Sequence, residues 1–417
     1  MTTGFSRQPE IRQIIAERVI MEKHAGVEPL RKRVLITTFT FPPNQDGVAM
    51  ASFNLATGLI AQGFDVTVAT RRLPTRAGDE IAGVRVFEFA VDGSANARFK
   101  FTGEVERYIE FVRTFKCEFI VCQYWDAWST ALAQKAFRDN PAKKILVSHG
   151  FLSHLLTFHP RPYFGIGVWL GSLPIALAAP RTMQSYDHVV FLSERRDFRR
   201  FFDHRLAHWI GYKSHSIIPN GVSRDVTQPT NVNFREKYGI KTQEIVLNVA
   251  NYSDRKNQIL ALNVFAKANV TNSTMVFIGS ERNDYTVRLE EHLRRLRASG
   301  FNLPVKILFE VSRPDVVAAM QSASVFLLTA KAETMPFALL EAITASLPFV
   351  STNVGCVEEI PGGKVANSRR NLVRHLRSLL QDRTIREELG RTGSSIAKAE
   401  FTWERNSERF VSILKSL

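Results

Sequence analysis

Cysteine is scarce in this chain, with three residues among 417. They are Cys117, Cys122 and Cys356, a spacing that fits no metal-ligand set and leaves one thiol over after any pairing. Secreted proteins commonly pair their cysteines, so this usage predicts a reducing, cytoplasmic environment. The first residues also lack the apolar run that follows the basic start of a signal peptide. We therefore expect a cytoplasmic protein.

Nucleic-acid-binding signatures are also missing. The sequence has no zinc-finger spacing, no helix-turn-helix signature and no basic stretch interleaved with aromatic residues. Its net charge is +15, and the basic excess is spread over both halves of the chain. Such a charge suits nucleotides, lipid headgroups and nucleic acids alike, so it only permits an anionic partner. We expect no nucleic acid among the partners.

No stretch of the sequence has the composition of a membrane span. Tyr163–Pro180 is uncharged, but it contains three glycines and two prolines and has arginines on both sides. A buried element or a segment dipping into a membrane surface fits it better. Arginines follow at 195, 196, 199 and 200. Residues 161–205 are therefore a candidate peripheral contact with the inner face of the membrane, against the alternative of a core helix and a solvated helix.

What the chain has is strands alternating with helices. Expected strands in the first half are Arg33–Phe39, Val66–Thr70, Val84–Phe89, Phe119–Gln123, Ile145–Ser148 and His188–Leu192, with helices at Ala49–Gln62 and Ala127–Arg138. Ser216–Ser223 is expected to be a short strand broken by a Pro-Asn-Gly turn signal. A second series then has strands at Glu244–Ala250, Thr274–Gly279, Lys306–Phe309, Ser324–Thr329 and Phe349–Asn353, with helices at Gln258–Asn269 and Tyr285–Ala298. This pattern predicts an α/β protein with two facing, Rossmann-like, doubly wound parallel sheets and a cleft between them.

The expected domain order follows from the same pattern. Residues 1–32 form an N-terminal extension with an amphipathic stretch at Ile11–Lys23. Residues 33–218 form the first Rossmann-like domain and residues 219–400 the second. Residues 401–417 are expected to form a C-terminal helix, which could pack back on the first domain.

Two carboxylates lie in the run E-T-M-P-F-A-L-L-E, at Glu333 and Glu341, between the last two predicted strands. Pro336 fits the first position of a helix, and Pro348 must end that helix. The helix would begin at the carboxyl end of a buried strand, where free N–H groups and the helix dipole favour an anion such as a diphosphate. Glu333 would lie beside that anion, and Glu341 two turns farther along, near a ribose.

Basic residues follow another strand end, in A-N-Y-S-D-R-K-N at residues 250–257. Lys256 would lie over the same edge of the sheet as Glu333, where its charge could neutralise a diphosphate leaving group. Arg255 could assist. The alternative is a solvated pair of basic residues at a helix start.

In the first half, two loops carry candidate residues. F-P-P-N-Q-D-G-V joins the first strand to the first helix, and Gly47 there would let the backbone approach a ligand. It is no dinucleotide-binding fingerprint, because G-x-G-x-x-G is absent. His149 follows the strand K-I-L-V-S and could contact a sugar from a strand end, with His154 and His159 as further candidates.

Together these motifs resemble a known family, the retaining family 4 glycosyltransferases of the GT-B fold. The resemblance covers nearly all of the chain after about residue 33. It rests on the order and spacing of F-P-P-N-Q-D-G at 41–47, S-H-G at 148–150, F-L-S-E at 191–194, I-P-N-G-V at 218–222, the Lys256 segment, E-T-M-P-F-A-L-L-E-A at 333–342, L-P-F-V-S-T at 347–352 and N-V-G at 353–355.

The resemblance implies a role for each candidate residue. It implies that Glu333 contacts the donor sugar, Glu341 the ribose, Lys256 the diphosphate, Gly47 the phosphate side and His149 the sugar. Glu333, Lys256 and His149 would be catalytic. Further substrate-binding residues would be Asn251, Arg255, Gly279, Thr334, Met335 and Phe337. Base recognition is expected around Gly279–Glu281 and Glu310–Arg313, without a sequence feature that separates uracil from guanine.

The function implied is transfer of a sugar from a nucleoside-diphosphate sugar, held by the second domain, to a glycan or lipid-linked acceptor, held by the first, in polysaccharide or glycolipid biosynthesis. A covalent route to retention needs a nucleophilic carboxylate near the anomeric carbon, and none stands out. We expect departure and attack on one face of an ion-paired intermediate, without a metal or other cofactor.

One position departs from the family pattern. Where the family commonly has Gly-Arg ahead of the lysine, this chain has Ala250 and Asn251. Arg255 could supply the missing cation. Two alternatives stay open: a non-catalytic homologue that binds sugar nucleotides, and another two-domain enzyme such as a nucleotide-sugar epimerase.

Overall fold

The computed structural model describes residues 31–93, 100–150, 177–196 and 201–417. The predictions for Ile11–Lys23, His154, His159, Arg199, Arg200 and most of Tyr163–Pro180 lie outside these residues. The chain divides into two compact units. The first comprises the described residues up to Phe191, Phe202–Ile218 and Asn406–Leu417. The second comprises Pro219–Arg405 and the described part of Leu192–Phe201.

An eight-stranded sheet forms the centre of the first unit, in the order β10-β9-β8-β7-β1-β2-β4-β3. All its pairs are parallel except β3 with β4. Two further short strands, β5 and β6, pair with each other. The bounds are β1 Arg33–Thr37, β2 Asp65–Arg71, β3 Glu80–Ile81, β4 Val84–Phe89, β5 Val91–Asp92, β6 Thr102–Gly103, β7 Phe119–Gln123, β8 Lys143–Val147, β9 His188–Phe191 and β10 His215–Ile217.

Helices cover both faces of this sheet, so its central strands are apolar on both sides. Val34 and Ile36 of β1 face one core cluster, and Leu35 between them faces another, as the two-residue period of a strand requires. The helices of this unit are α1 Gly47–Ala61, α2 Val105–Thr114, α3 Trp128–Ala133 and α4 Phe202–Trp209, and residues 177–184 are also helical. The predicted helix Ala127–Arg138 is shorter, because α3 tightens into a 3-10 turn at Gln134–Ala136.

The second unit has a six-stranded, wholly parallel sheet in the order β13-β12-β11-β14-β15-β16. Its strands are β11 Glu244–Val249, β12 Ser273–Gly279, β13 Val305–Phe309, β14 Val325–Leu328, β15 Phe349–Thr352 and β16 Gly363–Ala366. Sequence analysis missed β16, which reads G-K-V-A and has little strand character. Gly363 is needed there because a Cβ would lie 2.4 Å from the Phe349 ring.

Helices on both sides of the second sheet are α5 Phe234–Lys237, α6 Gln258–Ala268, α7 Asp284–Ala298, α8 Arg313–Ser322, α9 Phe337–Thr344, α10 Arg369–Gln381 and α11 Arg383–Glu400. A short 3-10 turn, Arg224–Thr227, follows the I-P-N-G-V motif. Most predicted elements of both units are present, with ends that differ by one or two residues. No helix in the described part of the chain is long and apolar enough to cross a membrane.

The last helix, α12, spans Trp403–Ser416. Its residues Phe410, Val411, Ile413 and Leu414 belong to the same core cluster as Val34 and Ile36 of the first unit. On α1, Gly58 accommodates this helix, since a Cβ there would lie 1.9 Å from the Ser407 hydroxyl. The final residues of the chain therefore complete the core of the first unit.

Two details of the predicted Glu333 helix were wrong. Pro336 is the N-cap of α9, with an extended ψ of 116°, so the helix begins at Phe337 and not at the proline. Glu341 consequently lies four residues from the helix start, about one turn along the axis and not two. The helix ends at Thr344, before Pro348 as expected.

Candidate functional site

Lys256 and Glu333 form an ion pair at one edge of the second sheet. Lys256 Nζ donates a hydrogen bond to Glu333 Oε1, and Arg255 Nη1 lies 3.9 Å from Glu333 Oε2. The two residues follow β11 and β14, which are parallel neighbours, so their loops meet at the carboxyl ends of the strands. The Glu333 side chain is only 7% exposed and the Lys256 side chain 18%. The solvated-pair alternative therefore does not describe Lys256.

Main-chain contacts hold these two loops together. Lys331 N donates to Arg255 O at 2.8 Å, and Thr329 Oγ1 donates to Asn257 O at 3.0 Å. Asn257 itself has a left-handed conformation, with φ of 55°, and caps α6. Asn tolerates this conformation better than most residues. These contacts fix the positions of the two loops that carry the charged side chains.

Gly355, from the N-V-G motif, packs closely against the backbone of Glu333 and Thr334. Its φ is +48°, and a Cβ there would lie 2.2 Å from Thr334 O and 2.6 Å from Glu333 O. Cys356 N donates to Thr334 O at 3.0 Å. Only glycine fits this approach without moving the Glu333 loop. The sequence motif included Gly355, but its role in holding Glu333 was not predicted.

Glu341 is bound by a cation from another helix. Arg313 Nη2 lies 2.6 Å from Glu341 Oε1, and the same guanidinium donates to Asp225 through Nε at 2.7 Å and Nη2 at 3.0 Å. Burial lowers the pKa of Arg313, but the hydrogen bond to Asp225 and the charge of Glu341 outweigh burial and raise it. The predicted base-recognition residue Arg313 is therefore engaged with two carboxylates, and sequence analysis gave Asp225 no role.

Gly279 lies under an aromatic ring. A Cβ at Gly279 would come within 2.3 Å of Cε2 of Tyr252, a buried ring whose hydroxyl donates to Leu308 O at 2.9 Å. Packing alone therefore requires glycine at this position, and its predicted contact with the donor stays a prediction. Asn251, next to the ring, is exposed at the loop surface.

The remaining residues of the E-T-M-P-F motif pack inside the second unit. Met335 is buried, and Asn220 of the I-P-N-G-V motif donates to it twice, from N to Sδ at 3.1 Å and from Nδ2 to the carbonyl at 3.2 Å. Phe337 stacks on Trp403 with 6.0 Å between ring centroids. Thr334 accepts a main-chain hydrogen bond through its carbonyl. These contacts explain why two distant motifs occur together.

His149 lies in a tight turn after β8 in the first unit. Its φ is 50°, and Gly150 follows with φ of 89°. The ring is buried, with Nε2 at 2.7 Å from Gln123 Oε1, and burial lowers the pKa of His149 to about 4. The imidazole is therefore neutral near pH 7. With the amide oxygen as acceptor, Nε2 carries the proton and Nδ1 remains an acceptor.

A buried carboxylate anchors the His149 turn. The Ser148 hydroxyl donates to Asp203 of α4, and Gly150 N donates to the same hydroxyl at 3.2 Å. Asp203 also accepts from His204 N at 2.9 Å. Burial raises the pKa of Asp203 to about 6. Sequence analysis missed Asp203, which lies in a charged stretch that carries no motif.

The loop before α1 is held at two points. Asp46 caps the helix by accepting from Val48 N and Ala49 N, both at 3.1 Å, so Gly47 is the first helical residue and is exposed. The buried Arg76 donates to Pro42 O at 2.8 Å. Gly47 therefore stands at a helix N-terminus, and its predicted contact with the phosphate side stays a prediction.

Two family models match parts of this chain. A model described as glycosyl transferase 4-like domain matches residues 46–203, and one described as glycosyl transferases group 1 matches residues 231–395. Among curated proteins, none matches the sequence.

Similar solved structures have low sequence identity to this chain and show its fold. Sucrose-phosphate synthase from Thermosynechococcus elongatus is 16% identical, with a TM-score of 0.73 over 93% of this chain and 99% of that one. HepE from Anabaena, determined with UDP-glucose, is 13% identical, with a TM-score of 0.70 over 93% of this chain and 100% of that one. WaaG, a glycosyltransferase involved in lipopolysaccharide biosynthesis, is 18% identical, with a TM-score of 0.65 over 91% of this chain and 99% of that one. Taken with the two family models, which match one unit each, they show that the chain belongs to the family 4-like glycosyltransferases of the GT-B fold and is a glycosyltransferase.

Proposed function

We propose that this glycosyltransferase takes its sugar from a nucleoside-diphosphate sugar held by the second unit. The observation that carries the proposal is the Lys256–Glu333 pair at the carboxyl ends of two adjacent parallel strands. HepE, a structure of the same fold, was determined with UDP-glucose, which supports this donor class.

The diphosphate is the part of the donor that these residues suit best. Lys256 and Arg255 supply positive charge, and α9 begins beside them. Pro336 caps α9 without a side-chain hydrogen bond, which leaves N–H groups of the first turn for a ligand. Glu333 pairs with Lys256 in this structure. A bound diphosphate would take over that cation and free the carboxylate for the sugar hydroxyls.

The reaction we propose retains the configuration at the anomeric carbon. The bond from this carbon to the diphosphate oxygen breaks, and the electron pair leaves with the nucleoside diphosphate, whose charge Lys256 and Arg255 stabilise. The acceptor hydroxyl then attacks the same face, and its proton passes to the departing phosphate oxygen. This scheme requires neither a covalent intermediate on Glu333 nor a metal. Neutral His149 would accept a hydrogen bond from a sugar hydroxyl.

The acceptor we propose is a glycan or lipid-linked molecule reached at the cytoplasmic face of the membrane. Support comes from α4, where Trp209 is 53% exposed and Arg205 lies 4.9 Å from its ring, a combination common at membrane interfaces. Flotation with vesicles of anionic phospholipid, compared with zwitterionic vesicles, tests the contact. Equal recovery of protein with both would argue against it.

The donor proposal is tested by ligand stabilisation and turnover. UDP, GDP and ADP are screened for a rise in melting temperature, because a ligand at 100 times its Kd stabilises the folded state by about 2.7 kcal/mol. Lys256→Met should abolish the stabilisation. Lys267→Met, at the other end of α6, is the matched control and should keep it. Transfer from the corresponding nucleotide sugars is then measured. If Lys256→Met and Glu333→Gln transferred sugar as fast as the parent, the site assignment would be wrong.

Asn251 lies at the position where the family commonly has arginine, so the transfer assay also tests whether the site is competent without that cation. Calorimetric binding of a nucleoside diphosphate, with no release of sugar from any donor, would contradict the proposed transfer. Conversion of a free nucleotide sugar in the absence of acceptor would contradict it as well.

A further inference from the structure

Arg313 contacts both a predicted substrate residue and a carboxylate outside every motif. We propose that Arg313 is a positioning residue that fixes Glu341 for the donor's ribose, and that Asp225 fixes Arg313 in turn. This inference rests on the proposed donor site. It adds two residues, from α8 and from the 3-10 turn after the I-P-N-G-V motif, to the part of the site that recognises the nucleotide.

The geometry of the guanidinium supports this role. Its Nε and Nη2 donate to the two oxygens of Asp225, and Nη2 also reaches Oε1 of Glu341 at 2.6 Å. A planar guanidinium bound at two points by one carboxylate cannot rotate freely, so the second carboxylate is held in a defined direction. A lysine would offer a point charge without that direction.

Both ends of α8 are hydrogen-bonded to the segment that carries Asp225. Arg313 is the first residue of this helix and binds Asp225. Near the other end, Gln321 Nε2 donates to Val226 O at 3.0 Å and to Gln228 O at 2.8 Å. These contacts join α8 to the 3-10 turn near both ends of the helix, so main-chain geometry as well as charge sets the position of Arg313 relative to Asp225.

Glu341 is partly accessible to a ligand. Arg313 lies within ion-pair distance of its Oε1, and the side chain is 17% exposed, so part of the carboxylate can be reached from outside while most of it is enclosed. A charged, oriented acceptor of this kind suits the vicinal hydroxyls of a ribose, and fixing it in advance avoids the loss of rotamer freedom on binding.

A purely structural ion-pair network is the competing explanation. Arg313 and Asp225 are 43% and 44% exposed, and surface pairs of this exposure contribute little to folding stability. The competing explanation therefore predicts small effects on the melting temperature and no change in ribose recognition. Positioning predicts a loss of recognition at nearly unchanged stability.

The experiment measures ribose discrimination by calorimetry. UDP, GDP and ADP are titrated into the full chain, and the one that binds most tightly is compared with its 2′-deoxy and 3′-deoxy forms. For the parent, removing a hydroxyl bound to a charged acceptor should weaken binding at least about tenfold for one of the two forms. In Arg313→Gln, the ratio of the Kd of the deoxy form to the Kd of the complete nucleotide should fall to about threefold or less. Arg313→Lys should give a ratio between the values for Arg313→Gln and the parent. Arg383→Gln, which breaks an exposed pair with Glu387 elsewhere in the unit, is the control and should keep the parent ratio.

A double mutant separates positioning from independent effects. If Arg313 acts through Glu341, the ratio for Arg313→Gln with Glu341→Gln should equal that for Glu341→Gln alone. An unchanged ratio in Arg313→Gln, or strictly additive losses in the double mutant, would overturn this inference and leave the donor site standing. Should Arg313→Gln fail to fold, Asp225→Asn is measured in its place, and its parent-like ratio would count equally against the inference. Absence of any nucleoside diphosphate binding by the parent would overturn both the inference and the proposed donor.

Discussion

The buried pair of titrating residues at the His149 turn predicts an unusual dependence of stability on pH. Burial raises the pKa of Asp203 from 3.8 to about 6 and lowers the pKa of His149 from 6.5 to about 4. Between pH 3.8 and 6 the folded chain keeps a proton on Asp203 that the unfolded chain has lost, so Asp203 makes the fold more stable as pH falls. Between pH 4 and 6.5 the unfolded chain holds a proton on His149 that the folded chain lacks, so His149 makes the fold less stable as pH falls.

Across its own pH interval, each residue changes the folding free energy by about 3 kcal/mol. Because the two contributions have opposite signs, they nearly cancel between pH 4 and 6. Replacing one of the two residues should make its contribution to the pH dependence measurable. Asp203→Asn keeps the shape of the side chain and removes its buried charge. It also replaces one acceptor oxygen with an NH2 donor, to which the Ser148 hydroxyl can adapt by accepting instead of donating. This variant should be more stable than the parent by up to about 3 kcal/mol at pH 7 and about equal to it near pH 4. His149→Asn, which tolerates the left-handed backbone, should be close to the parent at pH 7 and gain by a similar amount near pH 4.

The assay is urea unfolding followed by circular dichroism at half-unit steps from pH 4 to 7.5. Only differences from the parent are interpreted, because other titrating groups such as His188 are common to all the proteins. Asp139→Asn, the same type of change on the surface of the first unit, is the control for the substitution itself. A flat difference for Asp203→Asn, or one that grows as pH falls, would refute the reasoning, since it would mean that Asp203 is not neutralised by burial.

Three further predictions concern the second unit. Lys256→Met should lose nucleoside diphosphate binding. Glu333→Gln should bind the nucleoside diphosphate at least as well as the parent, because it removes a competing anion from Lys256, but should lose sugar transfer. Calorimetry measures binding and a transfer assay measures turnover, and equal losses of binding in the two variants would contradict the pairing. Gly355→Ala should cost about 1–2 kcal/mol in backbone strain and reduce transfer more than tenfold, as its Cβ displaces the Glu333 backbone, which a melting curve and initial rates will show. Arg255→Gln should weaken diphosphate binding, and Asn251→Arg in the same chain should restore it if the two positions serve one phosphate, with Kd as the measurement.

Much of the fold could be predicted because the buried strands are short apolar runs separated by clear turn signals. Val84–Phe89 and Phe119–Gln123 were predicted with the observed bounds. Strand β16 was missed because its pairing with β15, and not its own composition, makes it a strand. The start of α9 was placed one residue early, because proline fits both the first helical position and the N-cap.

The site could be predicted where a residue follows a strand in a recognisable motif, and could not where a partner comes from elsewhere in the chain. Lys256 and Glu333 were both expected at one sheet edge, and they meet there. Asp203 supports the His149 turn through Ser148, from 55 residues away in the sequence, and Asp225 holds Arg313 from a turn whose composition carries no signal. Such contacts depend on packing between distant segments, which local composition does not encode.

The two carboxylates of the E-T-M-P-F-A-L-L-E run differ in their cationic partners, which the spacing between them does not reveal. Each is matched by a cation from a different segment: Glu333 by Lys256 from the loop after β11, and Glu341 by Arg313 from α8. Lys256 has Glu333 as its partner and Arg255 beside it, so an incoming anion can displace that carboxylate. Arg313 is bound by Asp225 as well. We propose that the first pair rearranges on binding and that the second resists it, as a reacting centre and an anchor for the nucleotide respectively require.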